Sequence, residues 1–148
     1  MPGNGKTTAI KAIREMVFCC KQSDPVALDY FGNPDIAVLK YYSSIELCEL
    51  SKDNPNLFKK MKNCGLLAID DFGTEPAEVM SYGNVTTPLT ELLYHRYDEG
   101  LFTIISTNLT PKHIKERYGE RISDRFADMM TVVSFPDISF RKLVKSTK

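Results

Sequence analysis

The stretch Gly65-Leu66-Leu67-Ala68-Ile69-Asp70-Asp71-Phe72-Gly73 constrains the fold more than any other part of the chain. An unbroken apolar run of this length suits a strand buried on both faces, as in a parallel sheet covered by helices on each side. Two carboxylates follow at its carboxyl end. They are costly to bury without a function or a partner. In an open parallel sheet, that end of the strands is where ligands sit. Asp70 and Asp71 are therefore candidate site residues, against the alternative of a turn with solvated aspartates.

The amino-terminal residues suggest what such carboxylates could serve. Gly3-Asn4-Gly5-Lys6-Thr7-Thr8 matches the second half of the phosphate-binding pattern G-x-x-x-x-G-K-[ST]. The first glycine of that pattern would fall one residue before Met1, and the strand that delivers the loop is absent. Downstream, Ala9, Ile10, Ala12, Ile13, Met16, Val17 and Cys20 recur at helical spacing, which predicts an amphipathic helix from about Lys6. A helix start offers unpaired N–H groups and a partial positive charge to an anion. The alternative is a chance glycine-rich turn before a helix.

The rest of the chain alternates strand and helix signals. Asp24-Pro25 and Gly32-Asn33-Pro34 mark turns. Ile36 to Tyr42 reads as a strand, and Ser43 or Ser44 as the cap of a helix through Leu50. A short basic helix is expected from Leu57 to Asn63, a loop from Gly73 to Asn84, and a helix from Val85 to Glu99 stopped by Gly100. Phe102 to Asn108 reads as a strand, Pro111 to Gly119 and Glu120 to Met129 as helices, and Thr131 to Phe135 as a last strand. This alternation predicts an α/β class with a mostly parallel sheet.

The 148 residues suit one domain, and the formal net charge is zero, so no global polyanion-binding surface is indicated. No apolar run approaches the roughly 20 residues that span a bilayer, and no signal-peptide core is present, so the cytoplasm is the expected compartment. The four cysteines, Cys19, Cys20, Cys48 and Cys64, show no C-x-x-C pairing and only two histidines accompany them, which argues against structural zinc. They are expected to be reduced and mostly buried.

A nucleoside triphosphate needs particular groups. Backbone N–H groups from Gly3 to Thr8 can wrap a β-phosphate, the Lys6 ammonium can reach β and γ oxygens, and the Thr7 hydroxyl can ligate Mg²⁺. Asp70 is the carboxylate to hold that metal through its water shell. Asp71 could orient an attacking water, with Asn108 fixing the same water from a neighbouring strand. The missing element is a cation for the γ-phosphate, which a neighbouring molecule can supply. Arg125 and Arg121 are the candidates; the competing reading pairs them with Glu120, Asp124 or Asp128 on their own helix, contacts worth only about 0–1 kcal/mol.

Taken in order, P-G-N-G-K-T-T, L-L-A-I-D-D-F-G, T-I-I-S-T-N-L and Y-G-E-R-I-S-D-R-F resemble the DnaC/IstB type of AAA+ ATPase, the bacterial and phage helicase loaders and transposition helpers. The likeness runs from Met1 to about Arg141, and the late F-x-x-x-S-F-R stretch from Phe135 also looks typical. It implies a P-loop NTPase three-layer sandwich, AAA+ or RecA-like, with sheet order 5-1-4-3-2 and the strand before the phosphate loop in the middle. It further implies that Lys6 and Thr7 are Walker A residues, Asp70 and Asp71 the Walker B pair, Asn108 sensor 1, and Arg125 an arginine finger with Arg121 as companion. ATP, Mg²⁺, homo-oligomers joined through a trans arginine finger, single-stranded DNA, and a replicative helicase or transposase are the cofactors and partners implied.

Residues 1–148 are thus expected to form a single AAA+ core truncated at its amino end, with the first strand, the first Walker A glycine and the partner-docking region missing, no helical lid domain, and Met1 an internal methionine of a longer protein. Neighbours of a missing central strand would leave unpaired backbone groups, at about 1–3 kcal/mol each, in a domain with only about 5–15 kcal/mol to lose. Asp71 stands where many AAA+ proteins carry Glu, which leaves open a nucleotide-dependent switch without meaningful turnover; an inactive fragment is the other alternative, and a small-molecule kinase a weaker one. For DNA contact, Lys40, Tyr41, Tyr42, Lys59, Lys60, Lys62 and Tyr82 combine cations and aromatics as single-strand binders do, against the alternative of solvated surface and core tyrosines.

Overall fold

The computed structural model describes residues 5–22, 38–76, 78–81 and 84–135. Gly3, Asn4, Tyr82, the turns at residues 24–34, the first half of the strand expected from Ile36, and the stretch after Phe135 lie outside the described residues.

The elements are α1 (Lys6–Gln22), β1 (Lys40–Ser43), α2 (Ser44–Asp53), α3 (Pro55–Asn63), β2 (Leu66–Phe72), β3 (Val79–Ser81), β4 (Asn84–Thr86), α4 (Pro88–Asp98), β5 (Phe102–Thr107), α5 (Pro111–Tyr118) and α6 (Glu120–Met129). Local chemistry sets several boundaries. Ser43 caps α2 through a reciprocal pair: the Glu46 N–H donates to Ser43 Oγ and the Ser43 N–H to Glu46 Oε2. Asn54 and Thr110 cap α3 and α5, each followed by a proline at the first helical position. At the end of α4, Gly100 takes φ +62°, the Leu101 N–H reaches the Arg96 carbonyl at 2.9 Å and the Gly100 N–H that of Tyr97 at 3.1 Å. That double bond is the left-handed stop that glycine permits.

The central sheet has three parallel strands in the order β1-β2-β5. Its two faces follow from the alternation along each strand. Leu66 and Ala68 join Leu39, Tyr41 and Ile104 beneath Ile10, Ile13 and Val17 of α1. Leu67 and Ile69, and Phe72 once the register has shifted between Ile69 and Phe72, enter the larger core with Leu47 and Cys48 of α2, Met61 of α3, Leu89, Leu92 and Leu93 of α4, Ile114 of α5 and Ile122 of α6. Helices thus cover both faces, as the apolar β2 requires.

Several expectations are corrected: α2 runs on to Asp53 rather than ending near Leu50, and α3 begins at Pro55 rather than Leu57. The segment after Gly73 carries a small antiparallel hairpin, β3 with β4, and α4 begins at Pro88 rather than Val85. Three-residue strands are too short for their alternation to register in sequence. Thr131 to Phe135 forms no strand; Val132 and Val133 are exposed. Among the described residues β5 has a single neighbour, β2, so no ladder is available to this segment. Of the cysteines, Cys48 is buried and Cys64 half-buried, but Cys19 and Cys20 are exposed, although Cys20 continues the apolar spacing of α1. No helix among the described residues is long and apolar enough to cross a membrane.

Candidate functional site

The alternation that builds the core also aims the site. Asp70 follows Ala68 by two residues on β2 and so faces the α1 side. Tyr41 follows Leu39, and Ser106 follows Ile104, onto the same side. The parallel register sets Ser43 beside Asp70 and Ile105 beside Ile69, which brings the ends of all three strands level. Three hydroxyls converge on the Asp70 carboxylate. Thr7 Oγ1 donates to Oδ1 over 3.2 Å, Tyr41 Oη to Oδ2 over 2.6 Å, and Ser106 Oγ also to Oδ1. Asp70 is only 4% exposed, and among the described residues no buried side-chain polar atom lacks a partner. Burial by itself would raise the Asp70 pKa; the bonds from Ser106, Tyr41, Thr7 and the Asp71 N–H together outweigh it and hold the group below its ordinary value.

Gly5 takes φ +91°, a conformation that suits glycine, and its carbonyl accepts the Ala9 N–H at 2.9 Å, which starts α1. From that first turn the Lys6 ammonium donates to Asn108 Oδ1 across 2.5 Å. Lys6, Thr7, Asp70 and Asn108 are therefore gathered where α1 begins and β2 and β5 end. No acidic side chain lies within the first turn of α1 itself; the carboxylate that meets it is that of Asp70, through Thr7.

Asp71 is exposed, with φ +52°, and lies where the β2–β5 register shifts between Ile69 and Phe72. Its carbonyl accepts Ser44 Oγ at 2.9 Å and Thr74 Oγ1 at 2.8 Å, and its N–H donates to Ser106 Oγ at 3.0 Å. Ser44 is fully buried. Ser106 thus binds both aspartates, one through its proton and one through its lone pair.

Arg121 and Arg125 lie elsewhere, on α6 against α4. The Arg125 guanidinium packs over the rings of Tyr94 and Tyr97 at 4.5 and 4.6 Å and pairs with Asp98 at 3.2 Å; Arg121 lies 5.3 Å from the Tyr94 ring. The ion-pair partner of Arg125 is thus a residue of the neighbouring helix rather than Glu120, Asp124 or Asp128. Glu120 is taken by Lys115 at 2.5 Å.

Among the described residues no group of three or more His, Cys, Asp and Glu side chains forms a metal cage. The donors that are present suit Mg²⁺, which takes few protein ligands, prefers hard oxygens and keeps several waters. Asp70 and Thr7 supply a carboxylate and a hydroxyl of that kind. An open groove of about 410 Å³ lies to one side, lined by Arg14, Phe18, Lys40, Tyr41 and Tyr42 rather than by Lys6 or Asp70. Lys59 and Lys60 line a separate depression with Asn56 and Asn63, so the two basic groups proposed for DNA do not share a groove.

Sequence reasoning missed Ser106 and Glu75 and gave Tyr41 and Ser44 different roles. The alternation of β5 puts Ser106 on the Asp70 side once strand pairing is known. Tyr41 sits two residues after Leu39 in the same way. Nothing in the sequence flags Glu75, a 2% exposed carboxyl in the turn after β2. No protein-family model matches the chain, and no curated protein matches it.

Proposed function

We propose that the chain is the nucleotide-binding core of a P-loop ATPase, similar to the DnaC/IstB type of AAA+ protein, that hydrolyses ATP to ADP and phosphate in loading a helicase or assisting a transposase. The observation that carries this reading is the meeting of Thr7 with Asp70 at 3.2 Å, residues 63 apart in sequence. It is supported by the Lys6–Asn108 contact beside it. It is also supported by the strand order β1-β2-β5 among the described residues, which is compatible with strands 2, 3 and 4 of the arrangement 5-1-4-3-2.

Each residue has a task in that reading. The first-turn N–H groups of α1 bind phosphate oxygens. The Lys6 ammonium takes the β and γ oxygens, as a point charge on a flexible stem can. Thr7 and Asp70 hold Mg²⁺, which when bound supplies charge neutralisation across the phosphates. Asp71, exposed at the strand end, orients the attacking water, and Asn108 hydrogen-bonds the same water. Positioning and charge stabilisation supply most of the barrier reduction in phosphoryl transfer. Arg125 of one copy serves the γ-phosphate of the next, with Arg121 beside it; single-stranded DNA and the helicase or transposase are the further partners.

A second reading, a switch that binds nucleotide and turns over hardly at all, is favoured by the engagement of Arg125 with Tyr94, Tyr97 and Asp98 in its own chain. The test is binding of a fluorescent ATP analogue with and without Mg²⁺, followed by single-turnover hydrolysis. Mg²⁺-dependent binding that is lost in Lys6→Ala and Asp70→Asn is the expected result. Binding indifferent to both substitutions sinks the nucleotide assignment, and binding without a single turnover favours the switch.

A further inference from the structure

The turn that carries Asp71 is bound to more than the strand ends. Glu75, almost fully buried, accepts the Gly73 N–H on Oε2 at 2.9 Å and the Tyr118 hydroxyl on Oε1. Its carbonyl oxygen accepts Nη2 of Arg117. Tyr118 and Arg117 are the last residues of α5, and only Gly119 separates them from α6. Phe72, next to Asp71, stacks on the Tyr118 ring with centroids 4.5 Å apart and meets Phe126 at 5.7 Å. Phe126 is the neighbour of Arg125.

Two sets of contacts, one polar and one aromatic, which meet at Tyr118, thus join residues 71–75 to the α5–α6 pair. Gly73 sits at φ +101°, and a Cβ there would lie 2.5 Å from a Leu109 methyl carbon, so this turn position favours glycine and packs closely on Leu109. A buried carboxyl in such a turn is expensive unless both oxygens are satisfied, and here one is satisfied from within the turn and the other from α5.

We propose that Glu75 and Tyr118 are positioning residues: the bond between them couples the turn that sets Asp71 to the helices that present Arg121 and Arg125, so that the site for this chain's own triphosphate and the arginines offered to a neighbouring copy keep a fixed relation. This rests on the ATPase reading given above. Tyr118 donates its proton to Glu75, and burial together with this bond keeps its hydroxyl in the protonated form well beyond neutral pH. Neither residue touches Lys6, Thr7 or Asp70 in any described contact, so their loss should disturb the placement of Asp71 while leaving nucleotide affinity in place.

The test uses the full chain and compares hydrolysis at varied Mg²⁺–ATP with equilibrium binding of a fluorescent ATP analogue. Tyr118→Phe keeps the ring on Phe72 and removes one hydrogen bond; it is expected to lower kcat by about tenfold or more with analogue affinity within about twofold. Glu75→Gln, whose amide can accept from Gly73 and donate to the Tyr118 oxygen, is expected to stay within about threefold of wild-type kcat, while Glu75→Ala falls with Tyr118→Phe. Wild-type kcat in Tyr118→Phe, or loss of affinity in step with kcat, overturns the proposal. If Tyr118→Phe does not fold, the glutamate variants decide: equal turnover in Glu75→Ala and Glu75→Gln overturns it. A wild type that binds the analogue without turnover also overturns it, since there is then no step to position. A wild type that binds no nucleotide overturns the ATPase reading beneath it, whereas a hydrolysing wild type insensitive to Tyr118→Phe overturns the coupling alone.

Discussion

The Lys6 ammonium and the Asn108 amide oxygen stand 2.5 Å apart although 102 positions separate them in the chain. One is in the first turn of α1 and the other just beyond β5, so the contact joins the amino-terminal end of the helix to the end of a strand that, among the described residues, has β2 as its single neighbour. An exposed bond of this kind contributes little to folding; its consequence is where the charge is held.

Lys6→Ala is accordingly expected to weaken Mg²⁺–ATP affinity by about 100-fold, the equivalent of one lost charge-assisted hydrogen bond of roughly 3 kcal/mol. Its folding free energy should stay within about 0.5 kcal/mol of wild type. Asn108→Ala is expected to cut kcat by about 100-fold with a smaller change in affinity. Isothermal titration, single-turnover assays and urea unfolding read out the three quantities separately.

Asp70 gives a pH dependence of defined sign. Its folded-state pKa is held below the ordinary 3.8, so the folded chain binds fewer protons than the unfolded chain between the two values. The stabilisation is complete above the ordinary value and is lost as pH falls through 3.8 toward the lowered one. Tyr41→Phe removes one of the hydroxyls responsible. It is expected to cost about 1 kcal/mol at pH 7, and the difference from wild type should shrink as the pH is lowered through that window. Urea midpoints measured from neutral pH down to about pH 3 test this; a difference that stays constant across the window contradicts the assignment.

Arg96 is fully buried and donates to the carbonyls of Met61, Lys62, Cys64 and Phe102 and to Thr103 Oγ1. It fastens the end of α3 to the start of β5. Burial lowers its pKa, with the neighbouring Cys64 opposing the shift. Arg96→Ala strands those carbonyls in the core and is expected to destabilise by about 3–5 kcal/mol. Arg96→Lys should recover only part of that, because one ammonium cannot reach donors spread across a planar fork. Chemical denaturation at constant pH measures both.

Arg125 is engaged by Tyr94, Tyr97 and Asp98 within its own chain, so removing it carries a folding cost of about 1–2 kcal/mol from the lost cation–π contacts and ion pair. If it also serves a neighbour, Arg125→Ala abolishes hydrolysis and spares nucleotide binding. Mixing Arg125→Ala with Asp71→Asn should then restore activity in part, since each copy supplies what the other lacks. Mixtures no more active than either variant alone would exclude a trans role.

The class of the fold was legible because strand and helix signals alternate along the chain and Leu66 to Ile69 of β2 are apolar without interruption, as suits a strand covered on both faces. The helices were legible from their 3.6-residue spacing and from Ser43, Gly100 and Pro111 at their ends, whereas Pro55, which opens α3, was read as loop. The short hairpin of β3 and β4 escaped, being too brief to display a period, and the segment from Thr131 to Phe135 has strand-like composition but no paired neighbour among the described residues. In the site, Lys6, Thr7, Asp70 and Asn108 carry their chemistry in their side chains and could be picked from the sequence. Ser106, Ser44 and Glu75 act through geometry set by strand register and by a turn, and small hydroxyls or a single carboxyl give no pattern to read. Arg96 likewise carries no sequence signal of its burial.

The left-handed backbone at Asp71, φ +52°, decides which acid can stand there. Aspartate and asparagine enter this region several times more often than other non-glycine residues, because their short side chains bond to the local main chain. A longer acid gains reach but forfeits that accommodation. The aspartate here is therefore what the main chain admits, not a shortened version of glutamate. Asp71→Glu should shift the peptide units of the turn before it alters any chemistry, and Asp71→Asn is the substitution that isolates the effect of the charge.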